Sequence, residues 1–435
     1  MLFKNITLMN EEFVAESGKF VGIKDDRIDY IGDRMPDEDF GEHYDGKNRL
    51  LMPAFFNAHS HIPMSLLRGY GENMTLQDWL NTRIFPFENQ LTGEDIYQGT
   101  LLGLAEMLRF GIVSTTDMYY HGEEMCRAIL ESGAKCNLSV GTVCFDDSEY
   151  CQLKSYGAAK SLFENYQNEN QESLKIDLSI HGEYTSTPRV VAQLAEYAEE
   201  SGMRIQVHVS ETKEEHEGCK QRREGKTPVQ YLDSLGLLGI KTTAAHCVWL
   251  EGEDSDILAK KGVSVATCPK SNLKLASGIC DVPGLMAKGI NVAIGTDGSA
   301  SNNNLNMLEE VKFFSLIHKG HSLDPTVITP AEALKAATRN GALSQGRLDS
   351  GIIREGFKAD LIVLKTDEPY MKPLHNMTNN VVYSAVGTDV CLTMSNGKVL
   401  YKDGLYLTID IEKVLWNSEQ IKDRVLAELK SLGDK

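Results

Sequence analysis

Eight short apolar stretches recur between residues 55 and 297, with amphipathic segments filling the gaps. They cover residues 55–61, 111–117, 137–141, 176–181, 205–209, 243–246, 263–267 and 292–297. Residues 190–201 and 256–261 show the helical spacing expected of the connections. Eight strands alternating with helices over roughly 250 residues is the pattern of an α/β (β/α)8 TIM barrel. A doubly wound open sheet is the competing architecture. It would place a Gly-rich phosphate loop after its first strand, and none follows residue 61.

The two ends of the chain differ from the middle. Residues 3–8, 20–23 and 28–31 read as short strands, with a turn at Asp25-Asp26-Arg27. Residues 359–364, 381–385, 390–394 and 398–401 read the same way, the last two flanking a turn at Ser395-Asn396-Gly397. Neither piece is large enough to bury a core alone. The expectation is one small β-sandwich built from both. The organisation is then 1–52 as its first part, 53–350 as the barrel, and 351–435 as its second part plus a C-terminal amphipathic helix from about residue 411 to 432.

The polar residues fall at the strand ends. His59 and His61 close the first stretch, His181 the fourth, His208 the fifth, His246 the sixth and Asp297 the eighth. At i and i+2 on a strand, His59 and His61 present two imidazoles to one point. Taken singly, each is an ordinary polar residue at a strand end, and Asp297-Gly298 is an ordinary turn. Asp117 and His181 also suit purely structural roles. Together they matter more: in a barrel all strand C-termini meet at one face, so residues distant in sequence converge there.

Three neutral imidazoles and one carboxylate suit Zn²⁺ or another first-row dication, with Fe²⁺ and Mn²⁺ as alternatives. His59, His61, His208 and Asp297 are the expected ligands. Glu211, three residues beyond His208, is placed to shuttle a proton, and His246 to orient or deprotonate water. The plain alternative for Glu211 is a solvated residue heading an acidic helix over 211–217.

These motifs resemble the amidohydrolase superfamily. Pro53-Ala54-Phe55-Phe56-Asn57-Ala58-His59-Ser60-His61 is similar to its opening metal motif. Met64 to Gly69, Leu76-Gln77-Asp78-Trp79-Leu80, His208-Val209-Ser210-Glu211-Thr212, Ala245-His246-Cys247, Ser271 to Leu275 and Gly295 to Asn303 resemble its branch of nucleoside and triazine deaminases. Within that branch the likeness is to the 5'-methylthioadenosine/S-adenosylhomocysteine deaminases, and it spans nearly the whole chain. The resemblance implies hydrolytic deamination of an adenine ring at C6. Glu211 would protonate a ring nitrogen, activated water would attack the adjacent carbon, and Asp297 and His246 would take the water's proton. It also implies substrate contacts at Trp79, Glu88, His181 and Ser301, and a homodimer or homotetramer. One metal is expected, because His181 stands where a bridging lysine would end the fourth strand.

The chain departs from the family in one place. Members that hold a homocysteine carboxylate use arginines between the third and fourth strands, and residues 142–179 contain none. Without a bidentate partner a carboxylate is held weakly there, with lysines such as Lys154 as poor substitutes. The expected substrates are therefore methylthioadenosine, 5'-deoxyadenosine or adenosine, with S-adenosylhomocysteine disfavoured. Thr267 stands where relatives often carry His, which bears on substrate choice. Other heterocycles (guanine, a cytosine-like ring, a triazine) and a barrel that has lost catalysis and only binds are the alternatives.

Composition excludes other classes. A net charge of -18 over 435 residues disfavours nucleic acid or an anionic membrane as partner. The 9 cysteines form no C-x-x-C pair, which disfavours a disulfide framework or a Cys-type zinc site. No stretch is apolar enough to span a membrane, and Met1 to Asn5 lacks the character of a signal peptide, so a cytoplasmic location is expected.

Overall fold

A computed structural model describes residues 1–167 and 172–433. Eight parallel strands follow one another around a barrel: Phe55–Ser60, Ile112–Tyr119, Lys135–Thr142, Leu178–Ile180, Ile205–Val209, Thr242–His246, Ser264–Thr267 and Val292–Ile294. Nearly every residue of these strands is buried, as expected of a parallel sheet covered by helices outside and side chains inside. The eighth strand returns to the first. Asn57 and Thr296 clasp the seam with two hydrogen bonds, Nδ2 to Oγ1 at 2.7 Å and Thr296 N–H to Oδ1 at 2.9 Å. Asp297 N–H donates to the His59 carbonyl at 3.0 Å. A Cβ at Gly295 would sit 2.8 Å from the His59 Cβ and 3.0 Å from the Cys268 Sγ, so the seam closes only on glycine.

The connecting helices carry local start and stop signals. Gly93–Arg109 begins with a capping box between Thr92 and Asp95. Pro188–Ser201 has Thr187 as N-cap and stops at the left-handed Gly202. Among the described residues, no helix is long and apolar enough to cross a membrane.

The chain ends share a second sheet, as expected. Arg49–Pro53 pairs antiparallel with Leu361–Lys365, so the N-terminal strands continue directly into the C-terminal ones. Phe3, Ile6, Val21, Leu51, Val363 and Leu392 fill its own apolar cluster. The C-terminal helix runs Ile411–Gly433.

One expectation fails, and one alternative reading gives way. Residues 381–385 are not a strand but close the helix Met377–Tyr383. The β-branched run suggested a strand. However, Asn376 caps the segment through Asn379 N–H, and Met377, Thr378, Val381 and Val382 share one buried helical face. The acidic helix starts at Lys213 rather than Glu211, because Thr212 is its N-cap. Glu211 is thereby left in the turn above the fifth strand.

One ion pair fastens the barrel to the second sheet. Lys135, opening the third strand, places Nζ 2.6 Å from Asp360 Oδ2, with both side chains fully enclosed. Ser350 Oγ and Asn396 N–H complete the carboxylate's shell at 2.9 and 3.0 Å. Lys135→Met strands a buried charge and is expected to cost about 3–5 kcal/mol, read as a lower denaturant midpoint. Adding Asp360→Leu should recover part of that loss. An unchanged midpoint in the single variant would show that the pair bears no load.

Candidate active site and metal centre

The strand ends do converge. His61 Nδ1 donates to the Met118 carbonyl at 2.6 Å, and His208 Nδ1 donates to the His181 carbonyl at 2.7 Å. A carbonyl only accepts, so both rings carry their proton on Nδ1 and turn a bare Nε2 inward. Those two Nε2 atoms are 3.3 Å apart. Asp297 Oδ1 lies 3.3 Å from His61 Nε2 and 3.7 Å from His59 Nε2. Burial drives the imidazoles of His59 and His208 well below their usual proton affinity, so they stay neutral.

This arrangement fits a dication. The His59 Nε2 is buried and has no hydrogen-bond partner. One ligand atom from each of His59, His61 and His208 lies within 4.8 Å of the others, and so it is for His59, His246 and Asp297. A tetrahedron with arms of ~2.1 Å has edges of about 3.4 Å, close to the shorter spacings here.

The surroundings hold these side chains in place. Asp117 Oδ2 accepts from Ser60 Oγ at 2.8 Å and from Ile62 N–H at 2.7 Å, pinning the residues on both sides of His61. Burial pushes the Asp117 carboxyl up to about 6. Asp297 Oδ2 accepts from Ser271 Oγ at 2.6 Å and Ser301 Oγ at 2.9 Å, and Oδ1 from Gly298 N–H at 2.8 Å. Burial would raise the Asp297 carboxyl, but the charge His246 can carry beside it and the Ser271 hydroxyl help to hold it low. His246 Nδ1 donates to Asn272 Oδ1 at 2.8 Å. Its Nε2 lies 3.8 Å from Glu211 Oε2. Ser210, His246, Cys247 and Asp297 all adopt left-handed backbone angles, with φ of 50°, 68°, 48° and 60°. Such strain persists only where neighbours over-determine the conformation.

A cleft of about 790 Å³ opens above the histidines. Trp79, Glu88, His181, Glu211 and Ser301, singled out in the sequence, all line it. Ser301 also spends its hydroxyl on Asp297. Burial lowers the His181 imidazole to about 4 and pushes the Glu88 carboxyl up to about 7. The Tyr119 hydroxyl donates to Glu88, a contact the sequence reading missed. Its signal was available, since Tyr119 ends the second strand. Also missed was Glu310, buried and without signal, whose Oε1 accepts from Asn302 Nδ2 at 2.6 Å and steadies the turn after Asp297. Thr267 does not line the cleft; it lines a separate small crevice with Asn272 and His318.

The cleft continues into a wider vestibule lined by Val143, Phe145, Leu153 and Lys154. Among the described residues, no arginine lines either space.

The Amidohydrolase family profile matches residues 50–400. The chain belongs to the amidohydrolase family. This amidohydrolase is 37% identical over 420 residues to the 5-methylthioadenosine/S-adenosylhomocysteine deaminase of Dictyoglomus thermophilum, covering 97% of each chain. It is 38% identical over 382 residues to the 5'-deoxyadenosine deaminase of Methanothermobacter thermautotrophicus, covering 88% of this chain and 89% of the relative. Its backbone matches the crystal structure of an adenosine deaminase from Xanthomonas campestris with bound zinc. That match has a TM-score of 0.91 and 28% identity, and covers 98% of both chains.

Proposed function

We propose that this amidohydrolase deaminates an adenine nucleoside by hydrolysis at C6, using one divalent cation held by His59, His61, His208 and Asp297. The observation that carries the reading is the pair of Nε2 atoms 3.3 Å apart, each fixed by a backbone carbonyl at Nδ1, with Asp297 beside them. Three nitrogens and one oxygen favour Zn²⁺, and zinc is bound in the Xanthomonas relative. When bound, such a cation makes water acidic enough, with a pKa near ~7, to supply a nucleophile at neutral pH.

The protein's residues do the rest. Burial raises the Glu211 carboxyl, which favours the protonated form that can give a proton to the ring nitrogen beside C6. Asp297 and His246 receive the first proton of the attacking water. Asp297 passes it to the exocyclic amine, the C6–N bond breaks and ammonia leaves. The remaining hydroxyl proton returns to Glu211 as C6 becomes a carbonyl, leaving the inosine analogue. Trp79 covers the base, and His181, neutral at working pH, hydrogen-bonds the purine. Glu88 accepts from the ribose hydroxyls.

Ammonia release should be measured from methylthioadenosine, 5'-deoxyadenosine, adenosine, S-adenosylhomocysteine and guanine. The arginine-free vestibule supports turnover of the first three, with S-adenosylhomocysteine the poorest adenine nucleoside. Silence across the panel would overturn the reaction, and a preference for S-adenosylhomocysteine would overturn the substrate range. Glu88 adds a pH signature. Its carboxyl, raised to about 7, protonates and loses acceptor strength as pH falls below that value. KM for nucleosides should therefore rise toward low pH. Glu88→Gln should show a KM about 10-fold higher and flat with pH, in line with the loss of one charge-assisted bond.

A further inference from the structure

The proposed chemistry needs the Glu211 carboxyl at one place in the cleft, yet Glu211 sits in no regular element. The strand below ends at Val209 and the helix above begins at Lys213. Ser210, between them, is held in the left-handed region with φ of 50°, which a serine adopts only under constraint. The Ser210 carbonyl is secured by Val248 and Trp249 N–H at 3.1 and 3.0 Å. The N–H groups of Ser210 and Glu211 both end on a single side chain. Glu215 Oε1 accepts from Ser210 N–H at 2.9 Å, and Oε2 accepts from Glu211 N–H at 2.7 Å.

Glu215 occupies the third position of its helix, where a capping box would turn the side chain back to the N-cap N–H. The N-cap itself is conventional, with Thr212 Oγ1 accepting from Glu215 N–H at 3.1 Å. The Glu215 carboxylate reaches past it, to the two residues before the cap. Its side chain is buried, so the grip is shielded from water. Only a carboxylate offers two equivalent acceptors to two diverging donors. A glutamine of the same size offers one, and its amide N–H₂ would confront the other N–H.

We infer that Glu215 is the positioning residue for the proton donor: its two-oxygen clasp on the backbone of Ser210 and Glu211 sets where the Glu211 carboxyl stands against His246 and the substrate ring. This rests on the reading of Glu211 as the acid. A helix cap with no such duty would cost stability alone when altered. A positioning residue costs kcat, because a shift of ~1 Å in a reacting group lowers rate by up to about 100-fold.

The test is steady-state deamination of methylthioadenosine by Glu215→Gln, Glu211→Gln and the double variant, with metal content and Tm measured alongside. Glu215→Gln should lower kcat by about 10- to 100-fold, with KM within about twofold of wild type and metal content unchanged. In the Glu211→Gln background the same change should add less than about threefold, because both act through one proton transfer. If Glu211→Gln retains full kcat, the reading of the acid fails. If Glu211→Gln is crippled but Glu215→Gln lowers only Tm, or adds its full effect in the double variant, this inference fails. Should Glu215→Gln not fold, Glu215→Asp keeps the charge and shortens the reach. An intermediate loss of kcat supports the clasp, and an unchanged kcat overturns it.

Discussion

His208→Ala should leave the protein with far less than one divalent metal per chain and lower kcat/KM by about 10⁴-fold or more, the scale set by losing acidified water as nucleophile. In the proposed ligand set, His208 is the member contributed by the middle of the barrel. Its Nδ1 is committed to the His181 carbonyl, so its bare Nε2 is turned toward His61 Nε2. Alanine removes one nitrogen of the proposed three and leaves the His181 carbonyl with only the residue-208 backbone N–H, at 3.1 Å, as donor. Chelation of wild-type protein should reproduce the loss of activity. Added Zn²⁺ should restore the chelated wild type and fail to restore His208→Ala. A variant that kept both its metal and its rate would remove His208 from the ligand set.

Glu211→Gln should lower kcat by about 10²- to 10⁴-fold while metal content stays at the wild-type level. Glutamine matches glutamate in size and retains a contact with Ser277, whose hydroxyl lies 3.4 Å from Glu211 Oε1, but it has no proton to transfer. The pH profile separates a proton donor from a residue that merely shapes the cleft. The donor works only when protonated, so wild-type activity falls as pH rises through its pKa. Burial shifts that pKa upward from the ordinary carboxyl value and so extends activity toward neutrality. The limb should vanish in Glu211→Gln. Retention of the same alkaline limb would assign it to another group.

The clustering of the proposed metal set was legible because it follows two simple geometric rules. Side chains at i and i+2 on a strand share a face, which pairs His59 with His61. Parallel strands of a barrel end at one mouth, which joins them to His208, His246 and Asp297. Glu88 and Trp79 came from likeness to known motifs, because nothing local in Phe85-Pro86-Phe87-Glu88 says that its carboxyl meets the Tyr119 hydroxyl. Residues 381–385 misled because a short β-branched run has the same hydrophobicity in a buried helix as in a strand; the Asn376 cap and the fourfold spacing decided it. The roles of Glu215 and Glu310 left no mark, since a buried glutamate near other acidic residues looks like a solvated one until packing encloses it.

The order of elements, the residues at each strand end and the absence of arginine from 142 to 179 were properties of the chain itself, because they depend on neighbours a few positions apart. The 3.3 Å between His61 and His208, separated by 147 positions, depended on closure of the sheet at Gly295 and the Asn57–Thr296 clasp. Only the tertiary structure could decide that distance, since it is set by how eight strands tilt and seal against one another.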